Sequence, residues 1–306
     1  MSDPAACPRI GLIWVRMRFS VSTPLAVGLS ALLVAGLLPI PTVRASSEDD
    51  PEGSSRFRVV ILEHPTHLAR LKAELGNEGF LLLQKLNRRD TAHMRKGTRL
   101  VVPALPGSLE EFSPFPLEVA AAGSLSKVIL VSQRVQAFAA YERGTLANWG
   151  PVSTGTVKQP TPNGLYHVNW KAPSRRSSIN RNWLMRWYVN LHTSMGVALH
   201  QYAMPGRPAS YGCIRLLAED ARWIYRWADT WLPSGDPSAP RAFGTPVVVF
   251  GEYDHSASPP WEQAATTGDT AGVSAEETEA ALQPYLWVLE KRHRERKILE
   301  QSALAD

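Results

Sequence analysis

Cys213 sits in Ala209-Ser210-Tyr211-Gly212-Cys213-Ile214-Arg215, thirteen residues after His200. A thiol becomes a nucleophile when its proton is removed or its pKa is lowered, and an imidazole at hydrogen-bonding distance does this. Cys213 and His200 therefore pair as candidate nucleophile and general base. The surrounding residues suit acyl transfer. Gly212 permits a tight turn in which successive amide N–H groups face one side, as an oxyanion requires, and Ser210 and Tyr211 complete that loop. Arg215 can grip a substrate carboxylate with a two-pronged fork. A helix beginning near Leu217 is expected to point its positive end at the thiolate.

Other chemistries have weaker support. His167 and His192 precede His200, but no second cysteine or paired His/Glu spacing accompanies them, so no metal site is expected. No cofactor motif is present. Ser210 lacks the Gly-x-Ser-x-Gly elbow of a serine nucleophile and reads as a structural hydroxyl. Trp223, Trp227 and Trp231 share one helical stretch and read as packing residues. Residues 180–188, with Arg181, Trp183, Arg186 and Trp187, are a candidate flap over the site.

The elements that must position these residues are mostly strands. Residues 127–131 and 135–139 read as a hairpin, and 149–155, 165–170, 188–191, 197–199 and 246–250 as further strands. One helix is expected, because Leu217, Ala221, Ile224, Ala228 and Trp231 step by four, three, four and three, with Glu219 and Asp220 in its first turn. Residues 124–252 thus form a mainly β unit with one packed helix. Upstream, residues 57–62 read as a strand, 68–75 as a helix ended by Gly76, 80–86 as a second helix and 97–103 as a closing strand. Between the two units, residues 104–123 contain Pro106, Pro114 and Pro116 and read as an extended linker.

The ends differ from the middle. Arg9, Arg16 and Arg18 precede an apolar run from Leu25 to Leu38, and Val43-Arg44-Ala45 supplies a small-residue cleavage site, so residues 1–45 read as a secretory signal peptide. The run is short for a bilayer span, so the expectation is export to the periplasm or wall, with no stable membrane span after cleavage and an uncleaved anchor as the alternative. Residues 46–56 read as a solvated linker. The whole chain carries a net charge of +5, but residues 1–45 hold four Arg and one Asp, which leaves +2. A nucleic-acid partner has no support in that balance. Cys7 leaves with the signal, so Cys213 has no internal disulfide partner. Residues 253–273 read as a second linker, and Ser274 with Glu277 opens a capping box. Residues 274–306 then read as a solvated tail helix interrupted at Pro284.

Around His200, Ser210, Gly212, Cys213 and Arg215 the sequence resembles the L,D-transpeptidase (YkuD) family of peptidoglycan enzymes. Pro151-Val152-Ser153-Thr154-Gly155, Thr161-Pro162-Asn163-Gly164 and Gly244-Thr245-Pro246-Val247 lie where the family has similar segments. Tyr211 takes the place of the motif's second histidine, and Gln201 follows His200 where small residues are common. The resemblance implies a YkuD-type β-sandwich, catalysis by Cys213 with His200 as base, and a backbone carbonyl at Gln201 that orients the imidazole. It also implies a peptidoglycan stem peptide as substrate, with an amine of another stem or of a lipoprotein as acyl acceptor. Two alternatives stand beside transpeptidation: hydrolysis of the same bond by water, and an exported wall-binding protein whose site has decayed. Residues 57–103, with Leu83-x-x-Leu86-Asn87 and Met94-x-x-Gly97-Thr98-x-Leu100-x-Val102-Pro103, resemble the βααβ LysM module, which implies glycan strands as a further partner.

Overall fold

The computed structural model describes residues 56–104, 107–235, 239–268 and 272–305. The signal peptide expected at 1–45 and all but the last residue of the linker expected at 46–56 lie outside the described residues.

The N-terminal module is a two-stranded antiparallel sheet, β1 (Phe57–Ile61) and β2 (Arg99–Pro103), with α1 (Pro65–Asn87) between them in sequence. The two expected helices meet inside α1 at Gly76, whose φ of 67° interrupts the helical path. Pro65 starts the helix, where its missing N–H costs nothing. Asn87 ends it by donating to the carbonyls of Leu83 and Val101 and accepting from the Val101 amide, which ties α1 to β2. Leu71, Phe80, Leu83, Leu100 and Val102 form the module's own core.

The second face of the module is not free. Phe57, Leu82, Leu86 and Val101 pack with Phe112 and Trp149. Lys85 donates to Asp220 at 2.7 Å, and both side chains are at most 3% exposed. Burial pushes the Asp220 carboxyl up and Lys85 pulls it back. Gly150 fits beside this pair because a Cβ there would stand 2.3 Å from Asp220 Oδ2.

Strands β3 (Val128–Ser132), β4 (Ala137–Glu142), β5 (Thr145–Ser153), β6 (Gly164–His167), β7 (Lys171–Arg176), β8 (Leu184–His192), β9 (Val197–Gln201), β10 (Ile214–Leu216) and β11 (Pro246–Phe250) make a single sheet in the order β6-β11-β3-β4-β5-β10-β9-β8-β7. The sheet curls until its two halves face each other. Ile129, Val131, Val152 and Val247 from one half pack against Val189, Leu191, Val197 and Leu199 from the other. Helix α2 (Ala218–Trp227) closes the same core with Ala221 and Ile224. The mainly β architecture with one packed helix is the YkuD-type fold expected from sequence.

Three segments differ from the expectation. Residues 107–123 are not an extended linker, since Phe112, Phe115, Val119 and Ala122 are buried. Their prolines supply turns, but the apolar residues between them cover the outer face of β3 and β4. Within 253–273, Trp261, Ala264 and Val273 are buried likewise. The C-terminal helices α4 (Ala275–Leu282) and α5 (Leu286–Ala305) are not a solvated tail. Leu282 and Leu289 are buried in the same outer cluster, Arg134 pairs with Glu277 at 2.6 Å, and Arg296 donates to the carbonyls of Thr230 and Phe243. A charged surface concealed this in the sequence, because Glu277 and Arg296 of these helices bind partners on the sheet domain.

Removing one member of a buried ion pair leaves an uncompensated charge. Lys85→Met is expected to destabilise the protein by about 3 kcal/mol, and adding Asp220→Leu should restore most of it. Urea denaturation checks both, and a Lys85→Met protein of unaltered stability would contradict the assignment.

Candidate active site

The site is built by one strand pairing. β9 and β10 run parallel, with Ile214 opposite Leu199 and Arg215 opposite His200. Directly opposed residues share a face, and successive residues alternate. Leu199, Ile214 and Leu216 enter the buried core. Ala198, His200, Cys213 and Arg215 are therefore delivered to the other face, where Ala198 and Cys213 pack with Met185 and Tyr188. By ideal strand spacing the backbones of His200 and Cys213 are about 5 Å apart across the strands and about 7 Å along them.

The loop before Cys213 is fixed by its carbonyls. Thr161 Oγ1 donates to the Gly212 carbonyl at 3.0 Å and accepts from the Gly155 amide at 2.9 Å. Ser210 Oγ donates to the Cys213 carbonyl, and the Ala209 and Ser210 amides both donate to the Thr154 carbonyl. In a trans peptide the N–H points opposite to its C=O, so holding the Gly212 carbonyl on Thr161 turns the Cys213 N–H the other way. Gly212 has φ +95°, a conformation closed to most side chains.

His200 is 3% exposed, and its Nδ1 lies 3.1 Å from the Gln201 carbonyl. A carbonyl only accepts, so Nδ1 carries the proton and Nε2 keeps its lone pair. The Gln201 side chain takes no part in the cleft wall. Burial lowers the imidazole to about 4; the Gln201 bond opposes this and the Arg215 charge adds to it. Tyr188 stacks on the ring at 6.2 Å and 18°.

Cys213 is partly exposed, and its Sγ donates to the Gly196 carbonyl at 3.1 Å rather than to His200. Burial raises the thiol, against smaller opposing effects of the Ala198 backbone and Arg215. The helix expected to lower it does not. α2 begins beyond the far end of β10, and a helix field fades within its first turn. The resting state is thus a neutral thiol beside a neutral imidazole.

These groups open into a cleft of about 330 Å³. The turn between β7 and β8 forms one wall through Ser177, Ser178 and Ile179. Trp183 lies 5.4 Å from Tyr211, which is half exposed at the mouth. The flap expected at 180–188 is thus the turn together with the start of β8. Arg215 packs over Tyr202 at 4.9 Å with its guanidinium on the cleft wall. His167 and His192 are elsewhere. His167 is buried beneath Arg292, and burial lowers it to about 3, while His192 accepts from the Met195 amide in a turn.

Sequence reasoning included Tyr188 only as the end of the expected flap and missed Arg175 as a cleft residue. Between Arg186 and Val189 the β8–β9 register shifts by one residue, and Trp187 has φ +52°. This bulge places Met185 and Tyr188, three apart, on one face. Simple alternation would have separated them.

Residues 126–249 match the family model of the YkuD L,D-transpeptidase catalytic domain. The matched segment covers about two fifths of the chain. It contains both His200 and Cys213. The match does not extend to the N-terminal module at 57–103. Among solved structures, an L,D-transpeptidase from Mycobacterium smegmatis is similar at 20% identity over 41% of this chain and 59% of that one, with a TM-score of 0.34. L,D-transpeptidase 1 from Mycobacterium tuberculosis is similar at 22% identity over 41% and 62%, with a TM-score of 0.32. An L,D-transpeptidase from Stackebrandtia nassauensis is similar at 20% identity over 64% and 95%, with a TM-score of 0.39. The chain spans about three fifths of the two mycobacterial structures. No curated protein matches the chain.

A raised thiol keeps its proton through neutral pH. Alkylation of Cys213 by iodoacetamide should therefore still be rising at pH values where an ordinary thiol, near about 8.5, begins to level off. Peptide mapping across a pH series reads this directly, and a plateau below pH 7 would contradict the neutral resting pair.

Proposed function

We propose that the protein is a peptidoglycan L,D-transpeptidase that works through a Cys213 thioester. The observation that carries this reading is the placement of Cys213, His200 and Arg215 on one sheet face, opening into the cleft, with His200 Nε2 free to accept a proton. Cys213 leaves Gly196 by rotation of its side chain and attacks the carbonyl of the diamino-acid residue in a tetrapeptide stem. Its proton passes to His200 Nε2 as the S–C bond forms. The Tyr211, Gly212 and Cys213 amides face the developing oxyanion, and Arg215 holds the substrate carboxylate. Collapse of the tetrahedral intermediate breaks the C–N bond, and the departing D-alanine amine takes the proton back from His200. An incoming amine then attacks the thioester, gives a proton to His200, and the thiol is regenerated when that proton returns to sulfur.

A neutral pair suits this sequence. Proton transfer occurs with attack, so the base needs only to be deprotonated, and an imidazole at about 4 is deprotonated throughout the neutral range. The acceptor amine comes from another stem or from a lipoprotein, and water in its place gives a carboxypeptidase. Peptidoglycan places the reaction outside the inner membrane, in keeping with the signal peptide expected at 1–45. Among the described residues no helix is long and apolar enough to cross a membrane. The module at 57–103 is proposed to bind glycan strands weakly if at all.

The test is release of D-alanine and formation of dimeric product from a purified disaccharide-tetrapeptide. Cys213→Ala should abolish both, and His200→Ala should slow release by about 100- to 10,000-fold. Tyr211→His should change the rate modestly, since Tyr211 is at the cleft mouth. A large gain would instead support the reading of a decayed site. Unchanged release by Cys213→Ala would refute the nucleophile assignment.

A further inference from the structure

The cleft is one-sided in charge. Arg175 and Arg215 line it, and no Asp or Glu does. Arg215, on β10 close to Cys213, already has a role in the chemistry above, whereas Arg175 has none. Arg175 lies on β7 directly opposite Met185 of β8, so its side chain leaves the sheet on the face that carries Met185, Tyr188 and His200. Its guanidinium carbon is 5.0 Å from the Trp170 ring centre and 5.5 Å from that of Tyr188. Those two rings are 5.2 Å apart. Two aromatic faces thus fix an exposed cation without using its N–H fork. Among the described residues Arg175 forms no ion pair, while Arg58, Arg89, Arg134 and Arg222 each do. A clamped guanidinium with no counter-ion, on the wall of a cleft without carboxylates, is arranged to receive an anion from outside.

The spacing indicates which anion. On this face the strands run β10, β9, β8, β7, so Arg215 and Arg175 rise from strands about 14 Å apart with His200 and Tyr188 between them. Register adds an offset along the strands, since His200 is level with Trp187 and Tyr188 whereas Arg175 lies opposite Met185, so the separation is about five residues of extended peptide. One arginine stands beside the thiol, and the other stands several residues of extended peptide away.

We infer that Arg175 binds a free carboxylate of the acyl-donor peptide, remote from the bond presented to Cys213, and so selects donors in which that carboxylate is not amidated. The inference rests on the donor-peptide reading of the cleft and deepens it. A charge-assisted fork to a carboxylate distinguishes it from a carboxamide by roughly 10- to 100-fold.

The experiment compares two tetrapeptide donors, one with carboxylates along the stem and one with the remote carboxylate converted to carboxamide. D-alanine release is followed for the full chain and for its Arg175→Gln and Arg175→Lys variants. Arg175 is exposed, so neither substitution opens a buried gap. The native protein should favour the carboxylate donor by about ten-fold or more in kcat/KM, mainly through KM. Arg175→Gln should bring that ratio towards one, and Arg175→Lys should keep part of it by charge alone. A ratio near one in the native protein, or a ratio that Arg175→Gln leaves unaltered while both donors slow equally, would overturn the inference and reduce Arg175 to a prop for Tyr188. Failure of the native protein to release D-alanine from either donor would bring down the donor-peptide reading itself, and the inference with it.

Discussion

The parallel pairing of β9 with β10 is the constraint on which the rest of the site depends. Its register is held by Leu199, Ile214 and Leu216, which are buried in the core between the two halves of the sheet. A slip of one residue would turn those side chains to solvent and drive His200 and Cys213 into the core. The apolar residues of the motif thus set the positions of its reactive ones. Thr161 and Ser210 add the second level of control by pinning the carbonyls on either side of the Gly212–Cys213 junction.

Burial sets the electrostatics of this arrangement. The same desolvation that raises the Cys213 thiol lowers the His200 imidazole, so charge separation between them is disfavoured until a substrate is present. The lining groups that carry fixed charge are the two arginines at the ends of the row. Polarity is supplied where a substrate brings anions, and the reacting pair is left neutral.

Legibility from sequence followed contact range. The His200 to Arg215 segment was readable because its residues are close in the chain and their types are few: a glycine at positive φ, a thiol, an imidazole and an arginine. Strands and α2 were readable from period. The bulge at Trp187 was not, because it breaks the alternation from which faces are read, and β7 was not among the expected strands, so neither Tyr188 nor Arg175 was assigned to the cleft face. The Lys85–Asp220 pair joins residues 135 apart, and nothing local in either helix announces it. The proline-bearing stretch at 107–123 and the charged helix α5 failed for a related reason: composition reports turns and charge, whereas Phe112, Phe115 and Leu289 are buried by partners that only the folded chain brings near.

Coupling between the N-terminal module and the catalytic domain follows from the same pair. Lys85 reaches the first turn of α2, and α2 follows directly on β10, so the module is packed against the element that succeeds the nucleophile. The claim on which all of this converges is that the Cys213 sulfur carries the acyl group. Intact-protein mass measurement during turnover of a stem tetrapeptide, followed by mapping of the modified peptide, tests it most directly. The account predicts a gain equal to the donor less D-alanine, confined to Cys213. An adduct on another residue, or one that persists in Cys213→Ala, would contradict it.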